Sequence, residues 1–321
     1  MPSEFDIIRR YFSYAEKRDD VVVGVGDDAA VLTVPEHQQL VQSMDTLVAG
    51  IHFSLETSPE DIASKALAVN LSDMAAMGAE PAWFTLALTL PDDDENWLAA
   101  FSKSLASMAK EYQVQLVGGD TTNGPLCISI TINGFVPAGK ALLRKNAQVK
   151  DKIYVSGFLG DAALALAAWQ GQCILKDETR QYLNDRLNRP TPRVELGLLL
   201  RDYASACIDI SDGLIADLGH IAEESQLGAR IDFEKIPCSY AFKDNLTDET
   251  LAMSLVLSGG DDYELCFTVP EIKQAEFESM IKKNNLLVTC IGEIDSDTGV
   301  RCFNKNVPIE IQEAGYQHFV D

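Results

Sequence analysis

Hydrophobic positions along the chain fall into short runs that switch between the period of a strand and the period of a helix. Val21-Val22-Val23-Gly24-Val25, the run from Val31 to Val34 closed by Pro35, and Leu40-Val41-Gln42-Ser43-Met44-Asp45 are β-prone. Trp83 to Leu90, Val114 to Val117 and Cys127 to Val136 add three strands, the middle one expected to stop at Gly118-Gly119. Ser3 with Asp6 looks like a capping box before Phe5, Ile8 and Phe12, and predicts an amphipathic helix to about Lys17. Ser58-Pro59-Glu60 starts a second helix, and Asp92-Asp93-Asp94 with Glu95 gives a third an acidic first turn before Trp97. Farther along, Ile153 to Ser156, Gly157 and Asp161 restart a strand-loop-helix unit, and Asn188 to Arg193 is a rigid turn between helical stretches.

The second helix carries the most informative stretch, Ala66 to Gly78. It has no proline, good helix formers and a glycine placed to end it. At roughly 100° per residue Asn70 and Asp73 share a face with Ala66 and Met77, so a polar notch interrupts an apolar helix. An unpaired buried carboxylate is costly, which requires a cation, a hydrogen-bonding partner or water beside Asp73. The ordinary alternative is a helix-end carboxylate at a wet surface.

With 321 residues and 46% hydrophobic content, two domains are expected, divided near Val149-Lys150-Asp151-Lys152 into 1–148 and 149–321. Lys and Arg number 26 against 49 Asp and Glu, a net charge of −23, which argues against nucleic acid or an anionic membrane as a partner. No basic and then apolar leader opens the chain, and the apolar run Ala162 to Trp169 is too short to span a bilayer, so a soluble, cytoplasmic protein is expected. Seven cysteines stand singly at 127, 173, 207, 238, 266, 290 and 302, without a Cys-x-x-Cys pair, and read as small core hydrophobes rather than zinc ligands or disulfides.

Two nucleotide motifs are decoys. Gly24-x-Gly26-x-x-Ala29 fits the dinucleotide fingerprint, but the segment returns to strand and meets Pro35, and Asp27 and Asp28 stand where a pyrophosphate would bind. Gly134 to Lys140 fits a P-loop, but Ala141 replaces the magnesium-binding Ser or Thr and no helix is predicted there.

The acids themselves form the pattern. Asp27, Asp28, Asp45, Asp73, Asp120, Asp209 and Asp212 lie at glycine-flanked strand ends or in the polar notch. Gly118-Gly119-Asp120-Thr121-Thr122 is either a simple turn or backbone brought close to a ligand with a carboxylate aimed at it. Asp209, Ser211 and Asp212 are close enough to converge on one cation, with a helix cap by Ser211 or Asp212 as the alternative. A second Gly-Gly-Asp follows at Gly259-Gly260-Asp261, and Gly315-Tyr316-Gln317-His318-Phe319 is an aromatic cluster near the end. Several hard cations with oxygen ligands, magnesium above all, suit an acidic pocket that handles phosphates. Arg144 is a cation able to clamp a phosphate.

Ser43-Met44-Asp45-Thr46-Leu47-Val48 with His52-Phe53, Lys65 to Gly78, Gly118 to Thr122, Asp209 to Leu214, Gly259 to Glu264 and Gly315-Tyr316 together resemble the thiamine-monophosphate kinase family, nearly from end to end. The resemblance implies an α/β, mixed α+β chain with the two-domain fold shared with aminoimidazole-ribonucleotide synthetase. In that fold the N-terminal sheets pair across a homodimer, and the C-terminal α/β domain completes an ATP site with several Mg2+. It implies phosphorylation of thiamine monophosphate to thiamine diphosphate with ATP as co-substrate. By the same resemblance Asp28, Ser43, Met44, Asp45, Asp73, Asp120, Asp209 and Asp212 serve the metals. Gly119, Asp120, Arg144 and Ser211 line the ATP site, and His52, Asp261 and Tyr316 meet thiamine monophosphate. Two positions depart from the family. Met44 replaces the usual Thr, so a metal contact there uses the backbone carbonyl, and Asp261 replaces Glu, one methylene shorter. The rival functions are a sister ATP-dependent synthetase, a non-catalytic MgATP-binding protein and a metal-dependent phosphohydrolase.

Overall fold

The computed structural model describes residues 4–13, 18–246, 248–311 and 315–316, with only the backbone at 4 and 5. Ser3, Lys17, Gln317, His318 and Phe319, and the side chain of Phe5, lie outside the described residues. Contacts divide the chain into two compact units, Met1–Met74 with Ala79–Ala141, and Ala75–Gly78 with Leu142–Asp321.

The first unit begins with α1 (Glu4–Tyr11), shorter than the predicted helix to Lys17, and continues with β1 (Val21–Val23), β2 (Val31–Leu32) and β3 (Gln38–Val48). Then come α2 (Pro59–Ala76), β4 (Glu80–Leu90), α3 (Glu95–Glu111), β5 (Gln115–Asn123) and β6 (Cys127–Pro137). Its sheet has the order β3-β6-β4-β5, with β4 and β5 parallel and joined through α3. Asp94 caps α3 by accepting from the Asn96 and Trp97 N–H groups, the role expected for the acidic run. Both nucleotide decoys fall as anticipated: β2 follows Gly26, and no helix starts after β6 until residue 161.

The polar segment 118–123 is strand, not the turn that its glycines and Asp120 suggest. The parallel ladder pairs Gly119 with Leu86 and Asp120 with Ala87, and pairing with a fixed neighbour overrides local turn preference.

Because α2 is apolar on nearly every side, it is a buried helix: Leu67, Ala68, Leu71 and Met74 are fully covered, and even Lys65 and Asn70 are 2% and 1% exposed. On the sheet, Ala82, Trp83, Val117 and Phe135 form a cluster covered by Val21, Ala30 and Leu32 of the β1–β2 segment. Trp83 meets Phe135 edge-on at 5.0 Å and donates its indole N–H to Asp20 (2.9 Å), which satisfies the polar end of a buried ring.

The second unit contains β7 (Lys152–Ser156), α4 (Asp161–Trp169), α5 (Asp177–Asn188), α6 (Val194–Leu200), β8 (Ala206–Ile210), α7 (Leu214–Ser225) and β9 (Gly228–Asp232). It continues with α8 (Tyr240–Asn245), α9 (Glu249–Ser258), β10 (Glu264–Val269), α10 (Gln274–Lys283), β11 (Val288–Asp295), β12 (Gly299–Asn304) and β13 (Val307–Ile309). Its seven strands run in the order β13-β12-β9-β11-β7-β10-β8, antiparallel except for β12 beside β9. One core gathers Ile153 and Val155 of β7, Ile208 and Ile210 of β8, and Leu214, Leu218 and Ile221 of α7. Tyr154, Phe267 and Phe277 stack together elsewhere in the unit, ring centroids 5.0 to 5.7 Å apart. All seven cysteines are free, and Cys207, Cys266 and Cys302 are buried as small apolar groups.

Candidate active site

In the first unit the β4–β5 pair builds a wall. Its register shifts between Phe84 and Thr85, so that Leu116 pairs with Phe84, Gly118 with Thr85, and Val117 is the extra residue. Gly119 then lies so close to β4 that a Cβ would stand 1.9 Å from the Leu86 carbonyl oxygen, and only glycine fits. Beside this wall is a cleft of about 600 Å³, lined by Gly118 to Thr121, the loop from Val25 to Ala30, and Ile8, Arg9, Phe12 and Ser13 of the N-terminal segment.

The cleft therefore brings Asp27 and Asp28 together with Gly119 and Asp120 from two separate stretches. Among the described lining residues three carboxylates stand against one guanidinium, that of Arg9, so a phosphate entering here meets net negative charge unless cations accompany it. One oxygen of Asp27 accepts the Asp28 backbone N–H at 2.9 Å, a local bond that ties the two carboxylates' backbone together. The sequence reading missed Arg9 and Phe12. Their signal is weak, since nothing local ties a helix to a wall more than a hundred residues away.

Ser43 and Asp45 are half-buried on one face of β3, and Met44, on the other, is 60% exposed. Ser43 Oγ donates to Asp73 Oδ2 at 2.5 Å, the partner that the polar notch requires. Neighbouring Asn70 donates to the Ala66 carbonyl (3.0 Å), and its own buried Oδ1 has no partner among the described residues. His52 accepts the Val48 N–H through Nδ1 (3.0 Å), and its carbonyl accepts from the buried Lys65 ammonium (3.1 Å). Ser43, Met44, Asp45, His52 and Asp73 do not line the cleft beside β5.

In the second unit, backbone contacts assemble three loops that the sequence keeps apart. The Asp261 N–H donates to the Ser211 carbonyl (2.9 Å), the Tyr263 N–H to Ile210 (2.8 Å) and the Tyr316 N–H to Asp212 (3.0 Å). Gly260 permits this approach, because a Cβ there would lie 2.3 Å from the Ser211 carbonyl oxygen. Ser211, Asp212, Asp261 and Tyr316 thus surround the end of β8, with Tyr316 52% exposed. Arg144 is exposed in the same unit, and Asp209 is buried in β8 at 5% exposure.

Neither Ser211 nor Asp212 caps α7. Asp217, inside the helix, reaches back and accepts the N–H groups of Ser211 (3.0 Å), Asp212 (3.0 Å) and Gly213 (3.2 Å) through one oxygen. Burial pushes its carboxyl up to about 7, against the lowering pull of those three donors. The sequence signal was a second acid five residues after Asp212, at the start of the helix. Asp217→Ala leaves the three N–H groups without their acceptor. The expected result is a loss of about 1 to 3 kcal/mol of stability, read as a lower urea midpoint, with Asp217→Asn intermediate.

Every candidate metal ligand offers oxygen, and no thiolate or imidazole stands among them, a donor set that fits magnesium. Among the described residues no group of three or more His, Cys, Asp or Glu side chains is gathered tightly enough to hold a metal by itself.

Comparison with known proteins identifies the family. Residues 26–136 match the family model described as AIR synthase related protein, N-terminal domain, and residues 148–304 match the corresponding C-terminal domain. The thiamine-monophosphate kinase of Salmonella typhimurium strain LT2 is 50% identical over 319 residues, 98% of each chain. The chain belongs to the thiamine-monophosphate kinase family. Membership extends to structure: the thiamine-monophosphate kinase of Stenotrophomonas maltophilia K279a matches with a TM-score of 0.85 and 47% identity, over 89% of this chain and 92% of that one. A further family structure, AaThiL complexed with AMPPCP and TMP, matches at 0.78 and 30% identity over 92% of each chain.

Proposed function

We propose that the chain transfers the γ-phosphoryl group of ATP to the phosphate of thiamine monophosphate, giving thiamine diphosphate and ADP. The observation that carries this reading is end-to-end similarity to thiamine-monophosphate kinases, 50% identity over 98% of the chain. A relative solved with AMPPCP and TMP supports both substrates.

One P–O bond forms and one breaks. An oxygen of the acceptor phosphate attacks the γ-phosphorus as the bond to the β,γ-bridging oxygen opens, and ADP leaves. The attacking oxygen is already largely ionised at neutral pH, so positioning and charge supply the catalysis and no strong base is required. Magnesium, when bound, neutralises the phosphates and lets two anions approach. Asp28, Asp45, Asp73, Asp120, Asp209 and Asp212 would hold several such ions between them, with the Ser43 hydroxyl and the Met44 carbonyl. Gly119, Asp120, Arg144 and Ser211 take the nucleotide. His52, Asp261 and Tyr316 take thiamine monophosphate, the Tyr316 ring lying against the cationic rings of the vitamin for about 0.5 to 2 kcal/mol.

The test is ADP release from MgATP with and without thiamine monophosphate, using thiamine and aminoimidazole precursors as controls. Release only with thiamine monophosphate, abolished by chelation of magnesium, is the expected result. Release with an aminoimidazole precursor instead identifies a sister synthetase.

The protein acts as a cytoplasmic homodimer in this reading, and no described helix is long and apolar enough to cross a membrane. Among the described residues the eleven-residue β3 ends the first unit's sheet with an edge that pairs with no further strand, and it exposes Leu40 (47%) and Met44, as a strand does when it serves as a pairing surface. Leu40→Lys is expected to shift the sedimenting mass from twice 35.1 kDa toward 35.1 kDa.

A further inference from the structure

The segment from Gly259 to Glu264 has an unusual backbone. Asp261 and Tyr263 both adopt left-handed conformations, φ +67° and +49°, which side chains other than glycine seldom take. Between them Asp262 is 1% exposed. Its two carboxylate oxygens lie 2.9 and 3.2 Å from the Gly160 N–H at the start of α4. Two residues on, Glu264 is equally buried and is held by Arg193, by Arg186 (3.0 Å) and by the Ser156 hydroxyl (2.5 Å). The segment thus alternates in burial, with Asp262 and Glu264 buried and fastened by hydrogen bonds, and Asp261 and Tyr263 half-buried with their backbones bonded to Ser211 and Ile210.

Sequence preference does not explain this placement. Burial pushes the Asp262 carboxyl up to about 8, with Glu264 and Asp161 adding to the rise while the Gly160 N–H and the nearby Arg186 oppose it. A carboxyl kept in so unfavourable a place, between two strained residues, is the mark of a segment held for a purpose. We propose that Asp262 is a positioning residue for the phosphate acceptor: latched to Gly160, it sets the backbone that presents Asp261. The proposal rests on the reading of Asp261 as a thiamine monophosphate contact.

The test compares Asp261→Ala, Asp262→Ala, Asp262→Asn and wild type in steady-state kinetics with each substrate varied in turn. Asp262→Ala is expected to raise KM for thiamine monophosphate about tenfold, the size of one lost hydrogen bond to a charged group, with KM for MgATP within about twofold. Asp262→Asn keeps an oxygen for the Gly160 N–H and should restore KM to within about threefold of wild type. A purely structural Asp262 would instead lower kcat by loss of active protein and leave both KM values alone. If Asp261→Ala raises KM for thiamine monophosphate and Asp262→Ala does not, the positioning role is wrong and the Asp261 contact stands. If Asp261→Ala leaves that KM unchanged, the contact is wrong and the positioning role falls with it. Should Asp262→Ala fail to fold, Asp262→Glu replaces it: one added methylene in a filled site displaces the segment and must raise the same KM. Unchanged KM in that variant overturns the proposal.

Discussion

Gly119→Ala is expected to reduce turnover about a hundredfold while leaving the chain folded. The new methyl group would stand 1.9 Å from the Leu86 carbonyl oxygen and 2.8 Å from its carbon, both backbone atoms within the parallel ladder. Neither can rotate aside, so β5 must move away from β4. Overpacking of this kind costs roughly 1 to 3 kcal/mol, which a domain with a full core survives at a lower melting temperature. The larger effect is on chemistry. Asp120 is the next residue on the strand, and a shift of about 1 Å in a group that aligns reacting atoms costs on the order of 10² in rate. Circular dichroism, melting temperature and kcat on the same preparation check the pair of effects. A variant with full activity would show that β5 does not place Asp120 for catalysis.

Asp120→Asn is expected to lower kcat by on the order of 10²- to 10³-fold, the usual size for loss of one charged group that organises a phosphoryl-transfer centre. The substitution is nearly isosteric and Asp120 is exposed in the cleft, so stability should stay within about 0.5 kcal/mol of the parent. Raising the magnesium concentration should recover part of the activity, because a weakened ligand set fills at higher metal. Equal loss at every magnesium concentration would point away from metal binding at this residue.

Most of the fold was legible where one physical rule dominates. The strand period predicted β3, β4 and β6, and the proline-free apolar run predicted α2 together with the need of Asp73 for a partner, found in Ser43. Glycine beside acid marked the regions that the structure assembles around Asp120, inside β5, and around Ser211, just after β8. Legibility failed where a distant contact overrides a local preference. Gly118 to Asn123 reads as turn but is strand, because β4 supplies its partners. Asp217, not Ser211 or Asp212, satisfies the N–H groups before α7. Asp261 and Asp262 read alike in the sequence, because the burial that sets Asp262 apart is not written in two identical letters.

The most direct test of the central claim follows the phosphorus. With ATP labelled in the γ-phosphate, thiamine monophosphate and magnesium, the label should appear in the terminal phosphate of thiamine diphosphate, in amounts equal to the ADP formed. Label recovered as inorganic phosphate whether or not thiamine monophosphate is present would contradict the account and leave a phosphohydrolase.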